Sequence, residues 1–172
     1  ALAAIKNVGS QAMSELVCER EKNGSFESLS EFVKRVGTRA ANKRMLENLI
    51  KAGALDSLMV NRRSLFEGVD KIVKVAGAAE KERGSAQESL FEEQAVAFSL
   101  EETLPKIEDW SVLEKLDQEF DAVGFYLSAH PLDAYGKSLS RLGIQSLDQL
   151  TKKSAGTRPK LAGVVVRVQE RT

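Results

Sequence analysis

Apolar residues recur at helical spacing at the start of the chain. Over residues 2–21 they stand three or four positions apart, and the pattern is interrupted only at Asn7-Val8-Gly9. That period predicts a short helix, a tight turn and a second helix from Ser10. Asparagine and glycine accept left-handed backbone angles at the lowest cost, so a hairpin between the two helices is the economical interpretation.

Three further helices are predicted before residue 84. Ser28, Asn42 and Asn61 each stand directly before a helical apolar pattern, where a side-chain oxygen can accept from the first amides of a helix. Ser28 is also followed three residues later by Glu31, which is the spacing of a capping box. The predicted helices span about residues 29–36, 43–52 and 62–77.

The pattern changes after this point. Residues 84–108 carry scattered acids and no period, which predicts an acidic, partly disordered and flexible linker. A capping box at Ser111 and Glu114 then predicts a helix that ends before Gly124. Two short helices are expected beyond an apolar turn at residues 125–131, so the sequence predicts a second small helical subdomain.

The last residues have a different composition. Residues 161–168 are rich in β-branched side chains and predict one β-strand. Because a single strand is not stable alone, its pairing partners are expected beyond Thr172. The chain also begins without methionine inside a helical pattern, and both of its ends look cut.

Composition limits the class of protein. A chain of 172 residues with 42% apolar content can bury a core without disulfides or metals. Cys18 and His130 are the only residues of their kinds, which excludes an internal disulfide and every common structural zinc site. No apolar run is long enough to cross a membrane, and the N-terminus lacks the layout of a signal peptide. We therefore expect a cytoplasmic protein with no membrane partner and no cofactor in this chain.

The net charge of zero conceals a strong segregation of charge. Residues 1–33, 34–83, 84–121 and 122–172 carry net charges of −2, +6, −9 and +5. A basic block beside an acidic stretch predicts a face that binds a polyanion and a neighbouring segment that does not. The alternative is that these are two solvated faces of opposite sign that attract each other.

Three blocks of the sequence, in this order, resemble the alpha subunit of bacterial DNA polymerase III. The blocks are Ile5-Lys6-Asn7-Val8-Gly9-Ser10, the run from Asn42-Lys43-Arg44 to Asp56-Ser57-Leu58, and Gly124-Phe125-Tyr126-Leu127-Ser128-Ala129-His130-Pro131-Leu132. In that family they lie C-terminal to the palm, thumb and fingers and precede an oligonucleotide-binding (OB) barrel, whose first strand resembles residues 161–168. The resemblance implies a mainly α fold divided into a helix-hairpin-helix region (1–83), an acidic linker (84–108), a helical subdomain (109–158) and the first strand of a truncated OB-like barrel (159–172).

By this resemblance the first block is a helix-hairpin-helix element that binds duplex DNA. Backbone amides near Val8 and Gly9, with the N-terminus of the helix at Ser10, would receive a phosphate oxygen. The family has glycine where Asn7 stands, and asparagine tolerates the same geometry. Without the family, the same residues are a tight turn between helices. The predicted DNA-contact residues of this block are Lys6, Asn7, Val8, Gly9, Ser10 and Gln11.

A second basic set lies at predicted helix ends. Arg62 and Arg63 directly follow the cap Asn61, so amides and guanidinium groups could share a phosphate. No helix has the side chains of a groove reader, so these contacts are expected to be neutral to sequence. The alternative is a solvated helix surface. The predicted members are Lys43, Arg44, Lys51, Asn61, Arg62 and Arg63.

A short motif within the acidic stretch resembles the peptide by which bacterial polymerases attach to the ring-shaped sliding clamp. Leu90 and Phe91 would bury in an apolar groove, and Gln87 would hydrogen-bond at its edge. The alternative is that Leu90 and Phe91 pack back onto this chain. The predicted clamp-binding residues are Gln87, Ser89, Leu90 and Phe91.

No catalytic residue is predicted in this chain. Polymerase chemistry needs clustered carboxylates that hold two metal ions, and the acids here lie in the linker or on exposed helix faces. His130 precedes Pro131 in an apolar turn and is expected to be a hydrogen-bonded turn residue.

The resemblance therefore implies a segment that is inactive alone but belongs to a nucleotidyltransferase. Its expected role in DNA replication is to grip duplex DNA and tether the enzyme to the clamp, alongside other replicase subunits. One alternative is the same segment of an error-prone paralogue. The other is a helical protein-protein interaction module whose basic face meets an acidic partner.

Overall fold

The structure is a computed structural model that describes residues 2–40, 42–58, 61–84, 100–145, 148, 150, 158–166 and 168–170. The described chain is mainly α-helical, which confirms the predicted fold class. It divides into two compact units, residues 1–127 and residues 128–172.

The described residues contain α-helices and short 3-10 turns. The helices are α1 (Ser10–Asn23), α2 (Leu29–Ala40), α3 (Lys43–Lys51), α4 (Arg62–Glu67), α5 (Val69–Gly84), α6 (Leu100–Thr103), α7 (Val112–Val123) and α8 (Gly136–Arg141). The 3-10 turns are Leu2–Ala4, Asp56–Leu58 and Pro131–Tyr135. Gly37 has non-helical angles inside α2, where the sequence places the end of that helix.

The predicted helix starts are confirmed by their hydrogen bonds. Asn42 Oδ1 accepts from the Met45 amide at 2.9 Å, and Asn61 Oδ1 accepts from the Ser64 amide at 2.6 Å. Both halves of the capping box at Ser111 are formed. These contacts span three residues, so the local sequence is sufficient to predict them.

The single longer helix predicted after Asn61 is instead two helices, α4 and α5, which meet at Gly68. A β-carbon at Gly68 would collide with Leu104 and lie 3.1 Å from the Ser64 carbonyl oxygen. Glycine therefore allows Leu104 to pack directly against the turn where the two helices meet.

The core of the 1–127 unit lies between its helices. Helix α2 packs against α5 and α1, and α3 packs against α4, α5 and α7. Burying such apolar side chains is the main stabilising contribution to a domain of this size. The largest of the fully buried apolar side chains are Leu29, Phe32, Val33, Met45, Leu46, Leu49, Ile50, Leu65, Val69, Ile72 and Leu116.

Residues 100–108 pack onto this core through two side chains, although the sequence assigns them to the flexible linker 84–108. Leu100 and Leu104 are buried. The Leu100 amide donates to Ser30 Oγ at 2.9 Å, and the Ser30 hydroxyl donates to Glu101 Oε2 at 2.7 Å. Residues 85–99, which include the predicted clamp-binding peptide, lie outside the described residues.

Helix α7 also belongs to the 1–127 unit, where it packs against α3. The sequence places this helix in a separate subdomain of residues 109–158. The segment that leads into α7 is anchored by Trp110. The centroid of the Trp110 ring lies 5.5 Å from that of the Phe66 ring. The boundary between the two units therefore falls after α7 instead of before it.

The 128–172 unit contains the Pro131–Tyr135 turn and α8. His130 Nδ1 accepts from the Leu132 amide at 3.2 Å, and the His130 amide donates to Asp133 Oδ2 at 2.8 Å. His130 is thus a hydrogen-bonded turn residue, as predicted. The start of the second short helix predicted in this region, at residues 146–149, lies largely outside the described residues.

The predicted terminal strand is not formed in the described residues 158–166 and 168–170. Val164, Val165, Val166 and Val168 are exposed. A strand needs a neighbour along its length to satisfy its backbone groups. The described segment has a backbone bond from the Gln145 amide to the Lys160 carbonyl oxygen at 3.1 Å, which does not make a ladder. No described helix is long and apolar enough to cross a membrane.

Candidate nucleic-acid interface

The predicted hairpin between the Leu2–Ala4 turn and α1 is present. Ile5 and Val8 are buried and anchor it to the core, whereas Lys6 and Asn7 are exposed. Asn7 has a φ of 60°, in the left-handed region that asparagine tolerates better than most residues. Asparagine thus supports the turn in the position where the resemblance implies glycine.

The N-terminus of α1 lacks a side-chain cap. Gly9 is its N-cap residue, with extended angles of φ −72° and ψ 136°, and no side chain accepts from the first amides. A β-carbon at Gly9 would meet no atom within 4 Å. The 14-residue helix α1 therefore presents the positive end of its dipole at an open backbone.

The other predicted residues of the hairpin differ in which groups they leave available to a phosphate. The Val8 amide donates to the Ile5 carbonyl oxygen at 3.2 Å and the Val8 side chain is buried, so this amide is already engaged within the turn. Ser10 and Gln11 are exposed on the first turn of α1, where Gln11 Nε2 donates to Glu15 Oε1 at 3.3 Å. The available amides therefore begin at Gly9.

The last carbonyl groups of helix α7 accept hydrogen bonds from the hairpin. The Lys6 amide donates to the Ala122 carbonyl oxygen at 2.9 Å, and Lys6 Nζ donates to the Asp121 carbonyl oxygen. Lys51 Nζ lies 2.6 Å from Asp121 Oδ2, and its hydrogen bond lowers the pKa of the Asp121 carboxyl group. The structure thus brings the predicted residues Lys6 and Lys51 together around Asp121.

Arg62 is not a surface cation, which corrects its assignment as a DNA contact. Its side chain is only 10% exposed, with Nη2 2.7 Å from Asp56 Oδ2 and Nη1 2.9 Å from Glu119 Oε1. The hydrogen bond to Asp56, together with that to Glu119, raises the pKa of Arg62 against the effect of burial. Because a β-carbon at Gly53 would collide with this guanidinium group, the glycine is what makes room for the pair.

The N-terminus of α4 is also occupied within the fold. Asn61 uses its oxygen as the helix cap and donates from Nδ2 to the Ile107 carbonyl oxygen at 3.0 Å. The Arg63 amide donates to Asp109 Oδ1 at 3.1 Å, so this carboxylate stands where a phosphate was predicted. Burial raises the pKa of Asp109, but hydrogen bonds from Lys115 and from backbone amides outweigh it and lower the pKa. The side chain of Arg63 is left exposed.

Lys43 and Arg44 lie at the opposite end of α3 from Lys51. At 1.5 Å per residue, the two ends are separated by about 12 Å along the helix axis. Lys43 Nζ pairs with Asp70 Oδ1 at 2.7 Å, and Arg44 is exposed. The predicted basic residues therefore form separate groups, and the hairpin group is Lys6, Asn7, Gly9, Ser10, Gln11 and Lys51.

Sequence reasoning missed the acidic residues that hold these cations. Glu119 had a detectable signal, because it lies three residues after Leu116 and four before Val123, on the apolar stripe of its helix. Asp109 and Asp121 had none, since each is an ordinary acid in an acidic stretch. Lys51 and Arg62 pair with acids from residues 84–121, so the alternative of two attracting charged faces is realised in part.

No group of three or more His, Cys, Asp or Glu side chains is arranged to hold a metal ion among the described residues. Cys18 is a free, exposed thiol. What the described site offers chemically is an uncapped helix end, an open glycine backbone and nearby ammonium groups. These groups suit the binding of an anion such as a phosphate.

Known proteins resemble this chain over nearly its full length. The helix-hairpin-helix motif family matches residues 1–65. Proteins named DNA polymerase III subunit alpha match at 38% identity over 99% of the chain in Caulobacter vibrioides, 35% over 90% in Borreliella burgdorferi and 36% over 99% in Rickettsia prowazekii. The chain spans 15%, 13% and 14% of the length of these relatives. It is therefore related to one segment of the DNA polymerase III alpha subunits, which confirms the resemblance that its motifs indicated.

Proposed function

We propose that this chain is a duplex-DNA-binding segment of a replicative DNA polymerase, and that the hairpin before α1 grips the phosphate backbone. The observation that carries the proposal is the uncapped N-terminus of α1 at Gly9, where an added β-carbon would meet nothing within 4 Å. Backbone amides at such a helix end bind phosphate oxygens and are favoured by the helix dipole. The match of residues 1–65 to the helix-hairpin-helix family supports the same assignment.

The grip is proposed to be neutral to DNA sequence. Its groups are backbone amides and ammonium groups, which recognise phosphate and carry no information about bases. A polymerase that copies any template needs such a contact. The segment has no synthetic activity of its own in this proposal, because it contributes position and affinity while the chemistry belongs to the parent enzyme.

The expected result of a salt titration follows from the number of phosphates neutralised. With about two phosphates neutralised by Lys6 and Lys51, affinity for duplex falls about 12-fold between roughly 50 and 200 mM salt. Fluorescence anisotropy of a labelled duplex measures this, and duplexes of unrelated sequence should bind equally. No affinity at low salt, together with capture of an acidic protein partner, would favour a protein-interaction module instead.

The clamp-tethering role is a separate proposal that depends on Gln87, Ser89, Leu90 and Phe91, all outside the described residues. Two weak attachments, to DNA and to the clamp, bind far better together than either one alone because each raises the effective concentration of the other. The relationship to the alpha subunits supports three further proposals. The parent protein acts in the cytoplasm and assembles with other replicase subunits. Residues 159–172 begin an OB-like barrel.

Replacing both Leu90 and Phe91 with alanine is expected to abolish binding to the purified clamp ring, because the apolar anchors of the peptide are lost. Duplex affinity should not change. Surface plasmon resonance on immobilised clamp measures the first quantity and anisotropy the second. Replacing the adjacent Glu92 and Glu93 with glutamine is the matched control, and undiminished clamp binding by the alanine variant would contradict the proposal.

A further inference from the structure

Asp121 stands in a position that its own helix disfavours. It lies in the last turn of α7, a turn that contains no basic residue. The C-terminal end of a helix carries partial negative charge, so a carboxylate there is destabilising and a cation is stabilising. The required cations come from other parts of the fold, namely Lys6 on the hairpin and Lys51 at the end of α3.

Asp121 pairs with the ammonium group of Lys51, a group that the proposed function assigns to DNA. Lys51 Nζ lies 2.6 Å from Asp121 Oδ2 and 5.6 Å from the centroid of the Phe66 ring, and its side chain is 19% exposed. The Asp121 side chain is 61% exposed, so the carboxylate can turn away into water. Lys51 also lies within cation–π range of the Phe66 ring, a contact that does not involve the carboxylate.

The same helix end also binds the hairpin directly. Lys6, three residues before Gly9, donates both its amide and its ammonium group to the last carbonyl groups of α7. The negative end of the α7 dipole and the Asp121 carboxylate thus lie beside the groups that are expected to meet phosphate. Each lowers the positive potential that a DNA strand encounters there.

We propose that Asp121 is an internal substitute for a DNA phosphate, which occupies Lys51 in the free protein and must be displaced when duplex binds. This inference rests on the proposed duplex-binding function and adds a device that limits it. A grip weakened in this way favours release of each phosphate, which suits an enzyme that must slide along its product. The carboxylate is a positioning and competing group and does not contact the reacting atoms of the polymerase.

The Asp121→Asn variant of the full chain tests the proposal. Freeing Lys51 should tighten binding to a labelled duplex about two- to fivefold at low salt, the range expected for an exposed ion pair. Because Lys51 meets a phosphate in both complexes, the slope of log affinity against log salt should be the same as in the wild type. A purely structural role for Asp121 would leave duplex affinity unchanged or weaken it. Adding Lys51→Met to Asp121→Asn should remove the tightening.

The control is Asp117→Asn, which makes the same change of net charge one turn earlier on α7, at another exposed residue. Equal tightening by both asparagine variants, or unchanged or weaker binding by Asp121→Asn, would overturn the inference while the duplex-binding function stands. Failure of the wild-type chain to bind duplex at low salt would overturn both. Circular dichroism of each variant confirms that the comparison is made between folded proteins.

Discussion

Replacing Gly9 with aspartate is expected to weaken duplex binding at least about tenfold without reducing stability. The extended angles at Gly9 are those of an ordinary N-cap, so an aspartate carboxylate can accept from the first amides of α1. That carboxylate would then occupy the phosphate site and repel the DNA. The loss of one charge-assisted hydrogen bond, about 1.5 kcal/mol or more, corresponds to the tenfold effect.

The experiment is decisive because duplex affinity is expected to fall while stability is expected to stay the same or rise. An aspartate cap satisfies amides that Gly9 leaves to solvent and places an anion at a helix N-terminus, so the free energy of unfolding should be unchanged or higher by a few tenths of a kcal/mol. Gly9→Ser is the matched control, since it caps without charge and should change affinity much less. Anisotropy and urea denaturation give the two quantities. Wild-type affinity in the aspartate variant would show that DNA does not contact this helix end.

Replacing Glu119 with leucine is expected to destabilise the 1–127 unit by about 3 kcal/mol or more. Removing one member of a buried pair leaves the other charge uncompensated in a medium of low polarity. Glu119 is 1% exposed, accepts from Arg62 Nη1 at 2.9 Å and also accepts from the Leu127 amide at 3.0 Å through its other oxygen. The loss would therefore affect both the α4–α7 contact and the turn after α7.

Urea denaturation followed by the fluorescence of Trp110, the single tryptophan, measures this effect. Asp117→Asn on the exposed side of α7 is the control and should change the free energy of unfolding by less than about 0.5 kcal/mol. A second variant separates charge from shape. Leucine at both Arg62 and Glu119 should recover much of the lost stability, because apolar pairs often replace buried ion pairs without cost. A single variant as stable as wild type would show that the buried pair is not a structural element.

Local signals account for the parts of the fold that the sequence predicted well. The starts of α3, α4 and α7 depend on an asparagine or serine that bonds an amide three residues later, so their information lies within one turn. The same holds for Asn7, whose left-handed conformation is a property of the residue itself. The candidate hairpin could therefore be located without tertiary structure.

Residues 100–108 show that local signals in the sequence are not always sufficient. Their acids and lack of period are typical of a linker, yet Leu100 and Leu104 are buried. The contact that binds Leu100 comes from Ser30, 70 positions away, and the space for Leu104 comes from the absence of a side chain at Gly68. Neither partner is identified by the composition of the segment.

By itself, the sequence determined the helical class, the helix starts, the hairpin and the relationship to the polymerase subunits, because each depends on neighbouring residues or on motifs in a fixed order. Only the tertiary structure decided which positive charges remain available. Arg62 pairs with Glu119 57 positions away, and Lys51 pairs with Asp121 70 positions away. The charge that a cation presents to DNA depends on which acids the fold brings within a few ångströms, since electrostatic attraction acts through space and not along the chain.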